Sequence, residues 1–142
     1  MALPQSRTPF FILALTVLIV PRVYSQDSST NANRPWRVPS RFARKKNPIP
    51  TEEKAVTNGR FLYERECLTC HGVQGKGDGP SSYDLEEKVM DLAEPQVSNQ
   101  TDGALFFKIT VGRKPMPSYR QLLTDDERWE VVHYLRMLMP QP

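Results

Sequence analysis

The pattern of apolar and polar residues divides the chain into three parts. Residues 10–20 form an unbroken apolar run, and residues 26–50 show no apolar periodicity. From residue 51 onward, apolar residues recur at helical spacing. No alternating pattern long enough for a β-strand occurs in this last part. We therefore predict one small all-α domain over residues 51–142.

Three helices are predicted in this domain. The first runs from about Thr51 to Glu66, with acidic residues in its first turn, where they favour the helix dipole. Val56, Gly59 and Tyr63 fall on one face of this helix. Because glycine costs a helix about 1 kcal/mol relative to alanine, Gly59 indicates close approach by another element.

The second and third helices have clear capping signals. The second is predicted from Asp102 to about Val111, with Thr101 as its cap. The third begins at the capping-box pattern Thr124-Asp125-Asp126-Glu127, in which a hydroxyl and a carboxylate satisfy opposite backbone donors. Pro140 is expected to end it.

The third helix is expected to pack against the rest of the domain. We interpret its aromatic residues as packing residues, and we expect His133 to be partly exposed and not an iron ligand. Two methionines near the end of the helix are also expected to be buried. The residues of the predicted packing stripe are Trp129, Val131, Val132, Tyr134, Leu135 and Leu138, and the methionines are Met137 and Met139.

The first part of the chain, residues 1–25, is predicted to be a signal peptide. The apolar run at 10–20 ends at Pro21, and Val23-Tyr24-Ser25 offers a cleavage site before Gln26. Eleven residues rise only about 16 Å as a helix, whereas the hydrocarbon core of a bilayer is about 30 Å thick. We therefore expect export by the general secretory route and a periplasmic location. An uncleaved membrane anchor is the alternative.

Charge is distributed unevenly along the remaining chain. Without residues 1–25 there are 17 basic and 16 acidic side chains, which gives a net charge of +1. Residues 26–50 carry +5 and residues 51–142 carry −4. We expect residues 26–50 to be a flexible basic arm, in which Trp36 and Phe42 are available to dock onto the domain or onto a partner. An exported chain gives no reason to expect binding to nucleic acid.

The sequence Cys67-Leu68-Thr69-Cys70-His71 contains every cysteine of the chain. Two thiols separated by two residues, followed at once by a histidine, are typical of the attachment site of a c-type haem. The two sulfurs add to the two vinyl groups on one edge of the porphyrin, so they need a short and fixed separation. The adjacent imidazole can then bind iron at one axial position. The predicted cofactor is one covalently attached haem c, held by Cys67 and Cys70, with His71 as an iron ligand.

A Cys-x-x-Cys pair also occurs in redox dithiols, in zinc sites and as a small disulfide. No βαβ pattern surrounds the motif, as a thioredoxin-type dithiol would require. A four-ligand zinc site would need both His71 and His133, and His71 adjoins Cys70 awkwardly for tetrahedral geometry. A plain disulfide would leave His71 without a role. The glycine-rich residues 72–80 lack the strand and the Gly-Lys-Ser/Thr ending of a phosphate loop, so we expect them to wrap closely around a planar cofactor.

An electron carrier needs a second axial ligand from the protein, and methionine is the candidate. Met116 lies in Gly112-Arg-Lys-Pro-Met-Pro117, where prolines on both sides restrict the backbone. A stiff loop can present a weak thioether donor with little loss of entropy on binding. Met90 lies in a charged stretch and is the weaker candidate. We therefore predict Met116 as the distal iron ligand.

With these motifs identified, residues 55–139 resemble class I cytochrome c, the small monohaem bacterial kind. The matching features are Gly59 and Tyr63, the haem-attachment motif, Gly77-Asp-Gly-Pro80, the Met116-Pro117 pair, and the closing Trp129 with Tyr134-Leu135. The resemblance implies a cytochrome c-like fold of three to four helices around the haem. It also implies that the first helix crosses the last one near Tyr134. Finally, it implies that the Pro80 carbonyl accepts a hydrogen bond from the outer nitrogen of His71.

The predicted function is one-electron transfer between redox partner proteins, without catalysis by the chain itself. No nucleophile–base pair or carboxylate dyad argues for an enzyme. The carrier acts alone or as a cytochrome subunit of a larger respiratory or dehydrogenase complex, docked through its basic arm. Membrane association requires an uncleaved signal or such a complex. The alternatives are a haem-based sensor, in which a gas displaces Met116, and a zinc-binding interaction module.

Overall fold

The computed structural model describes residues 35–139, and within this range it is helical and has no β-strand. The predicted all-α class is therefore confirmed. None of the helices in residues 35–139 combines the length and the apolar character needed to cross a bilayer. The predicted signal peptide and the predicted stop at Pro140 lie outside the described residues. The helices are α1 Ser40–Ala43, α2 Glu53–Glu66, α3 Leu68–His71, a 3₁₀ helix Pro80–Asp84, α4 Pro95–Ser98, α5 Asp102–Val111 and α6 Asp125–Leu138.

Helices α2 and α6 cross at Gly59. A Cβ atom built on Gly59 would lie 2.0 Å from the backbone oxygen of Glu130 and 3.2 Å from the Cβ of Tyr134. Farther along the crossing, the rings of Tyr63 and Tyr134 lie 5.3 Å apart. Only a residue without a side chain allows this approach, so the expectation drawn from Gly59 is confirmed.

Helix α6 starts with the capping box that its sequence predicts. The Thr124 hydroxyl accepts a hydrogen bond from the Glu127 backbone, and the Glu127 carboxylate accepts one from the Thr124 backbone. One turn further on, the buried guanidinium of Arg128 donates to the carbonyls of Tyr119 and Leu123 and pairs with Asp125. The start of α6 is thereby tied to the loop that precedes it.

The core lies between α5, α6 and the inner face of α2. The ring of Phe106 on α5 stacks on Trp129 of α6, with centroids 4.0 Å apart and planes at 13°. Val131 and Val132 of α6 are almost completely buried. This packing leaves one side of the core lined by apolar side chains around a cavity, which is the candidate site.

Over its described part, residues 35–50, the basic arm is not flexible but packed against the domain, in agreement with the alternative that Phe42 docks there. Phe42 of α1 contacts Phe107 of α5, with ring centroids 4.8 Å apart. The Thr101 hydroxyl donates to the carbonyl of Ala43 at 2.6 Å. A Cβ atom on Gly103 would lie 2.1 Å from the Phe42 carbonyl oxygen, so the two backbones are in contact. A helix of four residues is too short to show periodicity in the sequence, which explains why the sequence predicts no helix in the arm.

Two expectations about α6 are wrong. His133 is buried, with 8% of its surface exposed. Its Nε2 atom donates to the Ile49 carbonyl at 2.8 Å, and its Nδ1 atom lies 3.3 Å from the Thr51 hydroxyl. Met137 is 66% exposed, whereas Met139 is buried as expected. Residues 47–51 cover the side of α6 that carries His133, which helical spacing alone does not reveal.

Candidate cofactor site

Cys67, Cys70 and His71 lie on one helical turn. Helix α2 ends at Glu66, Cys67 is the cap between α2 and α3, and α3 is the single turn Leu68–His71. All three side chains line one cavity of about 240 Å³. The two cysteines are not joined to each other. The turn therefore presents two separate thiols and one imidazole to the same space.

The glycine-rich residues after the motif fold back onto this turn. The Gly77 amide donates to the His71 carbonyl at 2.8 Å, and the Gly79 amide donates to the Cys70 carbonyl at 3.2 Å. Gly72 has a φ of +77°, and a Cβ atom there would lie 1.9 Å from the Asp78 carboxylate. The Cys-x-x-Cys-His turn is thus held from outside by its own following loop.

Met116 lies in a tight hairpin that follows α5. The hairpin is closed by reciprocal backbone hydrogen bonds between Arg113 and Met116, at 3.0 and 2.8 Å. The Ser118 hydroxyl and the Tyr119 amide donate to carbonyls of the last turn of α5, at 2.7 and 3.1 Å. The peptide bond before Pro115 is cis. Half-buried Met116 lines the same cavity as the cysteines and His71, so the structure brings the four predicted residues to one space.

The remaining cavity wall is mostly apolar and also contains charged residues. The hydroxyls of two buried tyrosines in this wall form hydrogen bonds with backbone carbonyls. The Tyr63 hydroxyl donates to the Gly72 carbonyl and the Tyr119 hydroxyl to the Glu66 carbonyl, each at 2.7 Å. Such a space suits a large apolar ligand that has a few polar groups. The apolar lining includes Leu85, Leu92, Val97, Leu105, Ile109, Val131 and Leu135, and the charged lining includes Lys108 and Arg113.

Burial determines the protonation of the motif side chains. It raises the pKa of the Cys67 thiol to about 12 and lowers the pKa of His71. At neutral pH the thiol therefore keeps its proton and the imidazole is neutral, with a lone pair available to a metal.

The alternative zinc interpretation lacks ligands. Among residues 35–139, no group of three or more His, Cys, Asp or Glu side chains is placed to hold a metal ion. His133, which a four-ligand zinc site would need, is occupied by the Ile49 carbonyl and the Thr51 hydroxyl. The described residues therefore do not provide the four ligands of a structural zinc site.

The imidazole of His71 has one unsatisfied nitrogen. Its Nδ1 atom is buried without a hydrogen-bond partner, so the bond to the Pro80 carbonyl that the resemblance implies is not formed in this structure. Pro80 instead starts the 3₁₀ helix, is exposed, and does not line the cavity. A buried polar atom without a partner costs about 1–3 kcal/mol, and such atoms are tolerated at functional sites.

These residues fit a c-type haem. The turn offers two thiols for the porphyrin edge, a neutral imidazole for iron and an apolar wall for the ring, and the hairpin adds a thioether. The sequence analysis did not place Trp36 or Lys108 at this site, although both line the cavity. No local pattern marks either residue, because each reaches the site only through packing of distant segments.

Comparison with known proteins gives a consistent result. The family model described as cytochrome c oxidase, cbb3-type, subunit III matches residues 54–135. A chain of the Kuenenia stuttgartiensis reducing HAO-like protein complex Kustc0457/Kustc0458 is 34% identical, with a TM-score of 0.61 over 66% of this chain and 47% of that chain. The KustC0563 c-type cytochrome is 25% identical, with a TM-score of 0.50 over 58% of this chain and 98% of that one. No curated protein matches the sequence. The alignment with the chain of the reducing HAO-like complex therefore spans about half the length of that chain.

Proposed function

Because this chain belongs to the cytochrome c family, we propose that it carries single electrons in the periplasm through one haem c with histidine and methionine axial ligands. Family members bind covalently attached haem c and transfer electrons. The observation that carries the finer proposal is the shared cavity. Cys67, Cys70 and His71 of the α3 turn and Met116 of the hairpin all line it.

Each of these residues has a defined role in the proposal. Cys67 and Cys70 tether the porphyrin edge by thioether bonds, and His71 and Met116 hold iron from the two elements that they occupy. The bound group supplies a metal that cycles between the ferrous and ferric states. A thioether donor favours ferrous iron, and the apolar wall disfavours the extra charge of ferric iron, so both raise the reduction potential.

The location and the partners are part of the proposal. The apolar run at 10–20 and the cleavage site before Gln26 support export of the mature chain to the periplasm. The partners are redox proteins that deliver and accept one electron. The similar Kuenenia stuttgartiensis chain belongs to a reducing HAO-like complex, which supports a role as a subunit as well as a free carrier.

The proposal is tested by optical spectra of protein made in a host that attaches c-type haem. Oxidised wild-type protein is expected to show the weak long-wavelength band of a thioether–ferric bond, and Met116→Ala is expected to abolish it. Met90→Ala is the matched control, because Met90 lines the same cavity from another segment. A band that persists in Met116→Ala and disappears in Met90→Ala would identify Met90 as the methionine ligand of the iron.

Two further measurements separate the alternatives. Haem that dissolves in acidified acetone is not covalently attached, which would refute the roles of Cys67 and Cys70. Carbon monoxide that binds readily to the reduced wild-type protein at neutral pH would indicate a sensor, since a firm methionine ligand resists displacement.

A further inference from the structure

The described part of the basic arm carries five exposed cations and no acid. These are Arg37, Arg41, Arg44, Lys45 and Lys46, which we call the basic face. None of them forms an ion pair with another described residue. The arginines of α2 and α6 behave differently, because Arg60, Arg65, Arg128 and Arg136 are each paired with an acid. The basic face therefore presents positive charge that the domain itself does not neutralise.

The basic face is fixed on the domain. The contact of Phe42 with Phe107 and the hydrogen bond from Thr101 to Ala43 anchor α1 on α5. Arg41 and Lys45 lie over the ring of Phe42, at 5.0 and 5.3 Å from its centroid. A charged surface with a fixed orientation loses less entropy on binding than a flexible arm would.

The basic face adjoins the rim of the cofactor cavity. Trp36, which directly precedes Arg37, lines that cavity. Two cations of the domain lie over its ring, the Lys108 ammonium at 5.1 Å and the Arg113 guanidinium at 4.8 Å from the ring centroid. A partner bound at the basic face is therefore brought to the side of the cavity that Trp36 covers.

The uneven distribution of charge along the chain indicates which kind of partner is favoured. The basic face carries +5, whereas residues 51–142 carry −4. The net negative charge of residues 51–142 disfavours contact with an acidic protein, whereas the basic face attracts one, and this difference orients the encounter. We infer that the basic face docks the acidic surface of a redox partner protein and brings that partner to the cavity rim at Trp36. This inference rests on the proposed electron-carrier function, and residues 37–46 lie outside the part that the family model matches.

A protein surface is favoured over an anionic membrane. Surface binding to a bilayer needs apolar side chains that insert beside the cations. The one aromatic residue within the basic face, Phe42, is half-buried against Phe107. The basic face thus offers charge without an exposed apolar anchor.

The test measures electron transfer from the reduced holoprotein to an acidic blue-copper protein of known structure. Stopped-flow rate constants are recorded for wild type and for the double variant Arg44→Glu/Lys46→Glu as the ionic strength is raised. The control is Lys54→Glu/Lys76→Glu, which makes the same change in net charge at two exposed residues that belong neither to the basic face nor to the cavity wall. We expect the basic-face variant to lose about tenfold in rate at low ionic strength and to show a flatter salt dependence, and the control to change by less than about twofold.

Two other outcomes would contradict the inference. Equal losses in both double variants would show that only net charge matters and would overturn the inference. Unchanged rates in the basic-face variant, together with its loss of co-sedimentation with phosphatidylglycerol vesicles, would assign the face to a membrane instead. The optical spectrum of each variant is recorded first. Failure of the proposed function appears there as a missing or loosely held haem in wild type, whereas failure of this inference appears in the rates of a protein with an intact spectrum.

Discussion

Gly59 of α2 and Glu130 of α6 are in backbone contact, since a Cβ atom on Gly59 would lie 2.0 Å from the Glu130 carbonyl oxygen. The obstacle is backbone and not the flexible end of a side chain, so it cannot move aside without shifting α6. The crossing of the two helices therefore depends on the missing side chain at position 59.

We predict that Gly59→Ala destabilises the folded protein. Alanine favours the helix by about 1 kcal/mol, but the overpacked crossing is expected to lower the free energy of unfolding by about 1–3 kcal/mol overall. Urea unfolding of the haem-loaded protein measures this change. Thr57→Ala is the control, because Thr57 is an exposed residue of the same helix, and it should stay within about 0.5 kcal/mol of wild type. A Gly59→Ala protein as stable as wild type would contradict the proposed contact.

The capping box of α6 predicts a pH dependence. The hydrogen bond from the Thr124 backbone holds the pKa of Glu127 below its usual 4.5. A lowered folded-state pKa stabilises the ionised form, so this contribution is complete above pH 4.5 and is lost as the pH falls through the folded-state pKa. Because Glu127 is largely solvated, we expect the effect to stay below about 1 kcal/mol.

The measurement is the free energy of unfolding of wild type and Glu127→Gln from about pH 6 to about pH 3. Glutamine keeps an acceptor for the Thr124 amide but has no carboxylate to titrate. The stability difference between the two proteins should therefore shrink as the pH falls. Parallel curves across this range would show that Glu127 does not contribute through its charge.

His133 is predicted to be a structural residue that ties residues 49–51 to α6. His133→Ala removes the hydrogen bonds to the Ile49 carbonyl and the Thr51 hydroxyl, and we expect it to cost about 1–3 kcal/mol in the free energy of unfolding. Limited proteolysis should then cut residues 35–50 faster than in wild type. The haem spectrum of the variant should stay unchanged. Equal rates of cleavage in the variant and in wild type would contradict this structural role.

Trp36 is predicted to limit the access of water to the bound haem. Its indole covers part of the cavity wall beside Lys108 and Arg113. Trp36→Ala admits water, which stabilises the extra charge of ferric iron and lowers the reduction potential. We expect a decrease of roughly 30 mV, about a threefold change in a one-electron equilibrium. Spectroelectrochemical titration measures it, and Trp36→Phe, which keeps an aromatic ring, should change the potential less. An unchanged potential in Trp36→Ala would show that the indole does not control solvent access.

Features that depend on a few neighbouring residues could be predicted well. The capping box needs only Thr124 and Glu127, and the start of α5 needs only Thr101 and the residues after it; the structure shows both caps. The Cys67–His71 turn is equally local, because two thiols and an imidazole on a single turn must face nearby space. Gly59 could be interpreted because a glycine inside an otherwise good helix is unfavourable unless something approaches it.

Features that depend on packing between distant segments could not be predicted. His133 is buried by residues more than 80 positions earlier in the chain, and Trp36 reaches the cavity through cations of α5 and of the Met116 hairpin. The sequence by itself determined the three long helices, the caps of α5 and α6 and the chemistry of the cofactor motif, since these follow from short-range hydrogen bonding and covalent spacing. Only the tertiary structure decided that the basic arm is packed on the domain beside the cavity, because aromatic contacts and backbone approaches between remote residues leave no periodic signal along the chain.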